Sequence, residues 1–370
     1  MIIGLPKEIK NNERRVGLTP GSVQELTQRG HDVVVEANAG VGIGAPADTY
    51  VAAGAKIVDT AAEVFAQADM IVKVKEPQAP EIEMLRPGQL LFTYLHLAPD
   101  PAQTSGLVAS GATAIAYETV TDTAGGLPLL APMSQVAGRM AIQAGAHCLE
   151  ATQGGSGMLL GGVPGVLPAA VVVIGGGVVG ENSTQMAIGM GANVTVVDRN
   201  LAVLEALDHR FGNAISTLYS TSQALEEAVL SADLVIGAVL VKGARAPKLV
   251  TADMVQAMKP GSVVVDVAID QGGAFETSHA TTHEDPTYIV DDVVHYCVAN
   301  MPGAVPRTSA YALNNATLPF TLALADHGAE AAVRANPHLA NGLNVHDGKV
   351  TEVAVAEALD YDYVAPLDVF

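Results

Sequence analysis

The 370-residue chain has only two cysteines, Cys148 and Cys297. Two thiols cannot build a disulfide framework, and neither sits in a metal-spaced cluster, so the sequence fits a reducing compartment. Charge is scarce as well: 16% of residues are charged against 49% apolar, and 19 Lys and Arg face 39 Asp and Glu for a net charge of −20. That acidity disfavours nucleic acid and anionic membranes as partners and mainly supports solubility. So few charges also leave surface that subunit contacts would bury, which predicts a homo-oligomer. Apolar runs such as Val166 to Val179 are interrupted by Pro168 and by glycines. None reaches the roughly 18 continuous apolar residues of a membrane span. The start, Met1-Ile2-Ile3-Gly4-Leu5-Pro6-Lys7-Glu8, lacks the basic residues and long apolar stretch of a signal peptide, so a cytoplasmic location is expected.

The length predicts about two domains, each able to form its own core. From residue 2 onward short apolar runs alternate with helical patterns: Ile2-Ile3-Gly4, 20–29, Val33 to Val35, 47–54, Ile57-Val58, 60–67 and Ile71 to Val74. Leu90 to Leu95, a helix near 100–109 and Ala114 to Tyr117 continue the series. Such alternation means a parallel sheet with helices on both faces. One long helix follows over 134–151. A second sheet unit runs from near residue 168 through Val194 to Val197, Ala214 to Ser216, Asp233 to Val241, Ser262 to Ile269 and Tyr296 to Val298. After Pro302 and Pro306 a helix over 309–327 leads into a tail of helical and loop segments that returns to the first domain. The fold class is therefore α/β, with two doubly wound Rossmann-like domains joined by long helices and an active-site cleft between them.

The most informative stretch is Ala169-Ala170-Val171-Val172-Val173-Ile174-Gly175-Gly176-Gly177-Val178-Val179-Gly180. A buried strand runs into a glycine turn and then a helix, the pattern of a dinucleotide site. Gly175 permits the tight turn, Gly177 leaves the backbone open to a pyrophosphate, and Gly180 lets helix and sheet pack closely. Val178 and Val179 open the helix whose free N–H groups face phosphate. Asn193 to Asp198 forms a second strand ending in an acid, where Asp198 suits a ribose 2'-hydroxyl. A carboxylate there repels a 2'-phosphate and favours NAD, although Arg199 beside it would suit NADP. A competing glycine run, Gly40-Val41-Gly42-Ile43-Gly44, follows Val33 to Val35, and Asp59 ends the next short strand. Glu36 to Ala39 separates its glycines from the strand, and Pro46-Ala47-Asp48 reads as a fresh helix start. It is expected to be a flexible loop flanking the substrate cleft.

Ligands of open parallel sheets bind outside the carboxyl ends of the strands. In the first domain that rule selects Arg15 after the first strand, Lys75 at the end of Met70 to Lys75, and His96 after Leu90 to Leu95. An arginine fork suits a carboxylate, a lysine a carboxylate or carbonyl oxygen, and an imidazole titrating near ~6.5 suits proton transfer at neutral pH. Together they describe a pocket for a small oxo-acid or amino acid. Asp270, at the end of Val264 to Asp270 in the second domain, would orient water or a ribose. Each also has a plainer reading: Arg15 as a solvated arginine like Arg14, Lys75 as a surface partner of Glu76 with Lys73 an equal candidate, His96 as a buried histidine, Asp270 as a turn cap.

Several blocks carry a family resemblance: Pro6 to Lys10, Glu13 to Pro20, Val74 to Pro77, Tyr94 to Ala98, Gly162 through Gly180, Val267 to Gly273, and Asn300 to Thr308. Across essentially its whole length the chain resembles the alanine dehydrogenase and transhydrogenase family. The resemblance implies a usually hexameric enzyme that oxidises L-alanine with NAD to pyruvate, ammonium and NADH. It implies a substrate domain of residues 1–130 plus 307–370 and an NAD domain of 131–306. Arg15 would hold the substrate carboxylate, Lys75 would polarise the carbonyl side, His96 would be the general acid/base, and Asp270 would position or activate water. Ser134, Asp198, Ser220, Val239, Leu240 and Val267 to Asp270 would touch NAD, with Asn300 and Met301 near the nicotinamide. Glu118 and His327 are a conceivable magnesium pair in such a family, but two ligands so far apart assign no metal. Three other readings compete: the NAD-binding subunit of a transhydrogenase, a dehydrogenase of saccharopine or another secondary amine, and a non-catalytic NAD-binding protein.

Overall fold

Short strands of two to six residues, many rich in Val and Ile, build two sheets. The computed structural model of the chain describes residues 1–239 and 246–370. Its strands are β1 (Ile2–Leu5), β2 (Asp32–Glu36), β3 (Lys56–Val58), β4 (Met70–Val72), β5 (Leu90–Thr93), β6 (Thr113–Ala116), β7 (Ala170–Ile174), β8 (Asn193–Asp198), β9 (Ile215–Tyr219), β10 (Leu234–Gly237), β11 (Val263–Asp266), β12 (Thr287–Val290), β13 (Val293–Tyr296), β14 (Leu343–His346) and β15 (Lys349–Val350). The chain divides into two compact units, Met1–Met133 with Val305–Phe370, and Ser134–Ala304.

The first unit holds a sheet of order β15-β14-β6-β5-β4-β1-β2-β3. From β3 to β6 the neighbours are parallel, while β14 runs antiparallel to both β6 and β15. β1 lies between β2 and β4, so the chain winds one way from it and then the other. The switch point this creates opens a crevice at the carboxyl ends of β1 and β4. Thr19 caps the helix Pro20–Gln28 and Thr60 closes a capping box with Glu63 on Ala61–Gln67. Asp100 caps Pro101–Ser110 through the Gln103 N–H. The core under this sheet gathers Val34, Phe65, Ile71, Leu91, Leu107 and Val345.

The second unit repeats the plan with sheet order β12-β13-β11-β10-β7-β8-β9, where β7 lies between β8 and β10. β9 through β13 pair in parallel, and only β12 is antiparallel, to β13. Both sheets are thus parallel-dominated and mixed. Among the described residues no helix is long and apolar enough to cross a membrane.

The structure moves several expected boundaries. β4 stops at Val72 and β5 at Thr93, so Lys75 and His96 stand on loops beyond their strands rather than on strand ends. The expected strand 296–298 is β13, three residues earlier, and the expected strand 233–241 is described only as β10. The C-terminal tail is not helix and loop alone: β14 and β15 form a hairpin joined by Asp347-Gly348, with φ of 44° and 77°. That is the two-residue turn whose positive φ values match strand twist. β12 and β13 are joined the same way through Asp291 and Asp292, φ 49° and 61°. The helix expected over 309–327 spans Pro306–Ala335 with a break at Gly328, whose φ of 76° and ψ of 169° no helix contains.

His295 in β13 is fully buried; its Nδ1 donates to the Val293 carbonyl at 2.9 Å, leaving Nε2 to accept from the Thr277 hydroxyl at 2.8 Å. Burial holds its pKa below the ordinary histidine value. A base whose folded pKa is depressed contributes stability that is complete above about pH 6.5 and lost as pH falls through the folded value, at up to about 1.4 kcal/mol per pH unit. Thermal unfolding from pH 7.5 to 5 should therefore fall more steeply for the wild type than for His295→Gln. Parallel curves would remove His295 as a source of acid lability.

Candidate functional site

At the carboxyl edge of the first sheet the loops after β1, β4, β5 and β6 converge. Arg15, on the first of these loops, is 2% exposed, which ends the reading of a solvated arginine. Its Nε donates to Glu13 Oε1 at 2.7 Å and its Nη2 to Glu13 Oε2 at 2.5 Å, a bidentate fork, while Nη1 reaches Met133 Sδ at 3.0 Å. Burial pushes the Glu13 carboxyl pKa up, but Arg15, with help from the Lys75 charge, holds it below its ordinary value. The loop itself is pinned from the far end of the sequence. Asn314 accepts from the Thr19 N–H at 2.7 Å and donates to the Gly17 carbonyl at 2.9 Å. Gly17 must lack a side chain, because a Cβ would lie 2.6 Å from the Val72 carbonyl oxygen.

Lys73 and Lys75 separate sharply. Lys73 is fully buried, with its Nζ 3.0 Å from Glu8 Oε2 and 2.6 Å from Glu81 Oε1. It is therefore not an equal candidate for a substrate lysine: a buried ammonium held by two carboxylates is structural. Lys75 lies two residues further on and is half-buried; its N–H donates to Glu8 Oε1 at 3.3 Å and its carbonyl accepts from the Thr93 hydroxyl at 2.9 Å.

His96 is not buried either. Its side chain is 49% exposed, and its backbone takes a left-handed φ of 51°. For a non-glycine residue this is a costly conformation that surrounding contacts must impose. Glu118, after β6, imposes it: Oε1 accepts the His96 N–H at 2.6 Å and the Leu95 N–H at 3.1 Å, and stands 3.7 Å from His96 Nδ1. Tyr94, buried between Arg15 and Glu118 in electrostatic reach of both, stacks parallel to the His96 ring at 5.9 Å. Arg15, Lys75 and His96 thus share one rim. Glu118 is occupied by backbone donors and His327 is exposed. Among the described residues no group of three or more His, Cys, Asp or Glu is arranged to hold a metal.

The competing glycine run is a 3-10 turn, Val41–Ile43, packed against the Arg15 loop. A Cβ on Gly42 would sit 2.2 Å from the Arg14 carbonyl oxygen, and one on Gly40 would sit 2.5 Å from the Tyr50 ring. Close packing, not flexibility, demands these glycines.

In the second unit the cradle forms at the switch point after β7. Gly175 has φ 97°, and a Cβ on Gly180 would lie 1.8 Å from the Gly175 carbonyl oxygen, whereas one on Gly177 meets nothing within 4 Å. So Gly175 makes the turn, Gly180 lets the helix Val178–Gly189 approach it, and Gly177 presents bare backbone to open space. Gly176 proves equally constrained, because a Cβ there would strike Val203 at 2.6 Å; its N–H donates to Asp198 Oδ2 at 2.7 Å. Asp198 Oδ1 accepts the Asn200 N–H at 2.8 Å, so the acid is fixed beside the glycine turn with lone pairs to spare for a ribose. The residues fit a dinucleotide.

Ser220 follows β9 with its N–H on the Asp198 carbonyl, and Val239 follows β10 within 3.1 Å of where a Gly175 Cβ would be. Val267 begins the turn Val267–Gln271 after β11, which Asp266 caps and on which Asp270 is exposed. Asn300, at a left-handed φ of 58°, and Met301 follow β13. Ser134 lies half-buried in the helix Ala131–Cys148. Leu240 lies outside the described residues.

Glu8, Glu13, Glu81, Met133 and Asn314 are not among the residues expected from the sequence, and Glu118 is expected there only as half of a magnesium pair to which no metal is assigned. Glu8 and Glu13 stand inside the motif blocks, where their burial against Lys73 and Arg15 has no sequence signature.

Two substitutions separate packing from cofactor contact. Gly180→Ala should lower Tm and lose most dinucleotide affinity, since overpacking costs about 1–3 kcal/mol. Gly177→Ala should keep its Tm and weaken only NADH binding, read by fluorescence titration. A Gly177→Ala protein binding NADH normally would remove that backbone from the site.

Residues 4–137 match the Alanine dehydrogenase/PNT, N-terminal domain, and residues 141–353 the Alanine dehydrogenase/PNT, C-terminal domain. The chain is 63% identical over 364 residues to the alanine dehydrogenase of Halomonas elongata, covering 98% of each protein. To the alanine dehydrogenase of Mycobacterium tuberculosis it is 56% identical over 369 residues, the full length of both. A solved L-alanine dehydrogenase superposes with a TM-score of 0.95 at 52% identity, over 97% of this chain and 99% of that one. A transhydrogenase from Sinorhizobium meliloti gives 0.84 at 27% identity, over 95% and 100%. The chain belongs to the alanine dehydrogenase/PNT family.

Proposed function

We propose that this chain is an NAD-dependent L-alanine dehydrogenase that converts L-alanine to pyruvate and ammonium, reversibly, with NADH as the other product. The observation that carries this is the convergence of Arg15, Lys75 and His96 on one sheet edge in a chain whose full-length relatives bear that activity in their names. We assign substrate binding to the first unit and NAD to the second, whose Gly175, Gly177, Val178, Val179, Gly180 and Asp198 form the cradle. Ser134, Ser220, Val239, Val267, Asn300 and Met301 extend it along the carboxyl edge, and Leu240 belongs to the same assignment.

Bound NAD supplies the acceptor for the hydride leaving the substrate α-carbon. Glu13 fixes the plane of the Arg15 guanidinium, which holds the substrate carboxylate in a desolvated place where the pairing is strong. His96 takes the proton that the alanine ammonium must lose before hydride departs. Its exposed ring suits exchange of that proton, and the Glu118 clamp fixes where the ring stands. Asp270 positions the water that adds to the imine and accepts its proton, giving a carbinolamine. Lys75 stabilises that hydroxyl oxygen as it loses its remaining proton, while His96 returns its proton to the nitrogen, which leaves as ammonia and is protonated to ammonium in solution.

We place the enzyme in the cytoplasm, a reading supported by the presence of only two cysteines. The low charge and the exposed apolar Leu159, Val166 and Leu167 support self-association, for which we propose a homohexamer. A light-scattering mass of six chains is the expected result.

NADH formation from NAD should be confined mainly to L-alanine when D-alanine, L-serine, glycine and saccharopine are tested beside it, and pyruvate with ammonium should reverse it. Silence with every amino acid despite NADH binding would favour a transhydrogenase-type role. His96→Ala should cut kcat by about 10²-fold or more with NADH binding intact, and Glu118→Ala by up to about 10²-fold through misplacement of His96. Asp198→Ala should mainly weaken NAD; equal turnover of the wild type with NADP would overturn the role given to Asp198.

A further inference from the structure

Glu8 joins two lysines with different fates. Its Oε2 faces Lys73 Nζ at 3.0 Å, and its Oε1 accepts the Val74 N–H at 2.6 Å and the Lys75 N–H at 3.3 Å. Lys73 already has a counter-charge in Glu81 at 2.6 Å. A second buried carboxylate beside one ammonium adds a desolvation cost that neutralising Lys73 does not require. The two carboxylates differ in what else they hold. Glu81 Oε2 accepts the Gln78 N–H at 2.8 Å and so closes the capping box of the short helix Ala79–Ile82, away from the Lys75 backbone.

The backbone of residues 73–75 is tied at every polar group. Lys73 N–H donates to the Phe92 carbonyl and Val74 O accepts the Tyr94 N–H. Lys73 O accepts the Tyr117 hydroxyl at 2.9 Å and Lys75 O the Thr93 hydroxyl at 2.9 Å. The two remaining donors, Val74 and Lys75 N–H, both go to Glu8 Oε1. A lysine side chain has four rotatable bonds and delivers its ammonium reproducibly only from a fixed backbone origin. β4 has ended at Val72; β5 and the residue after it still hold Lys73 N–H and Val74 O, but no strand takes the Val74 and Lys75 N–H groups.

We propose that Glu8 is a positioning residue for Lys75: tethered by Lys73, its carboxylate replaces the missing strand partner and fixes the backbone from which Lys75 reaches the substrate. This rests on the substrate role given to Lys75 above.

The test compares Glu8→Gln, Glu81→Gln, Lys75→Ala and the double variant Glu8→Gln/Lys75→Ala in the full chain. Pyruvate is titrated into the enzyme–NADH complex without ammonium, so no turnover occurs, with NADH affinity and Tm measured alongside. Glu8→Gln should weaken pyruvate by about 10-fold or more with NADH affinity unchanged. Glu81→Gln should lower Tm as much while leaving pyruvate affinity within about 2-fold, since it touches no backbone of Lys75. In the double variant Glu8→Gln should add little to Lys75→Ala. If Glu8→Gln fails to fold, Glu8→Asp keeps the charge for Lys73 but withdraws the oxygen from Val74 and Lys75, and the same weakening is expected. Normal pyruvate binding in the Glu8 variants beside weak binding in Lys75→Ala overturns the proposal alone, as does full additivity in the double variant. Normal binding in Lys75→Ala overturns the role of Lys75 and the proposal with it.

Discussion

Charge placed out of water is the constraint on which the first unit depends. Glu8, Glu13 and Glu81 are all buried, and so are Arg15 and Lys73. Breaking one member of such a set costs about 3–5 kcal/mol, because the survivor is left uncompensated. The set therefore locks the connections after β1 and β4 at the sheet edge. Rigidity in the loops after β1 and β4 is a by-product of neutralising those charges.

The second unit reaches order by the opposite device, the removal of side chains. Gly175, Gly176 and Gly180 are each required by a turn or a contact that a Cβ would violate, while Gly177 is bare for an outside partner. Asp198 links the two features by holding the Gly176 N–H. In each unit the constrained loops gather at the carboxyl edge beside the strand where the winding reverses, β1 in one and β7 in the other.

The sequence made legible what depends on local pattern. Alternating apolar runs placed most strands and helices of both sheets, and glycine spacing found the cradle, because the turn and the tight helix approach are set by neighbours in the chain. The rule that ligands bind beyond strand ends pointed to Arg15, Lys75 and His96, and the structure places all three on loops after β1, β4 and β5. The hairpins β12–β13 and β14–β15 went unread although Asp347-Gly348 is a strong turn signal, since the strands around it are only two to four residues long. The ion pairs remained invisible for a different reason. Glu8 to Lys73 spans 65 residues, and Asn314 meets the Arg15 loop across almost 300. Nothing local distinguishes those carboxylates from solvated ones.

Asn314 lies in a helix encoded after the whole second unit, yet it fastens the loop that follows Arg15. The first unit is consequently discontinuous, with 171 residues of another compact unit between its two parts. During synthesis the second unit is complete while the first still lacks β14, β15 and the Asn314 clamp. Domains fold as their chains emerge. The second unit can therefore mature on the ribosome, whereas the loop carrying Arg15 must wait for the helix that follows that unit, and a product stalled or truncated before Asn314 would carry a formed glycine cradle without the fastened Arg15 loop.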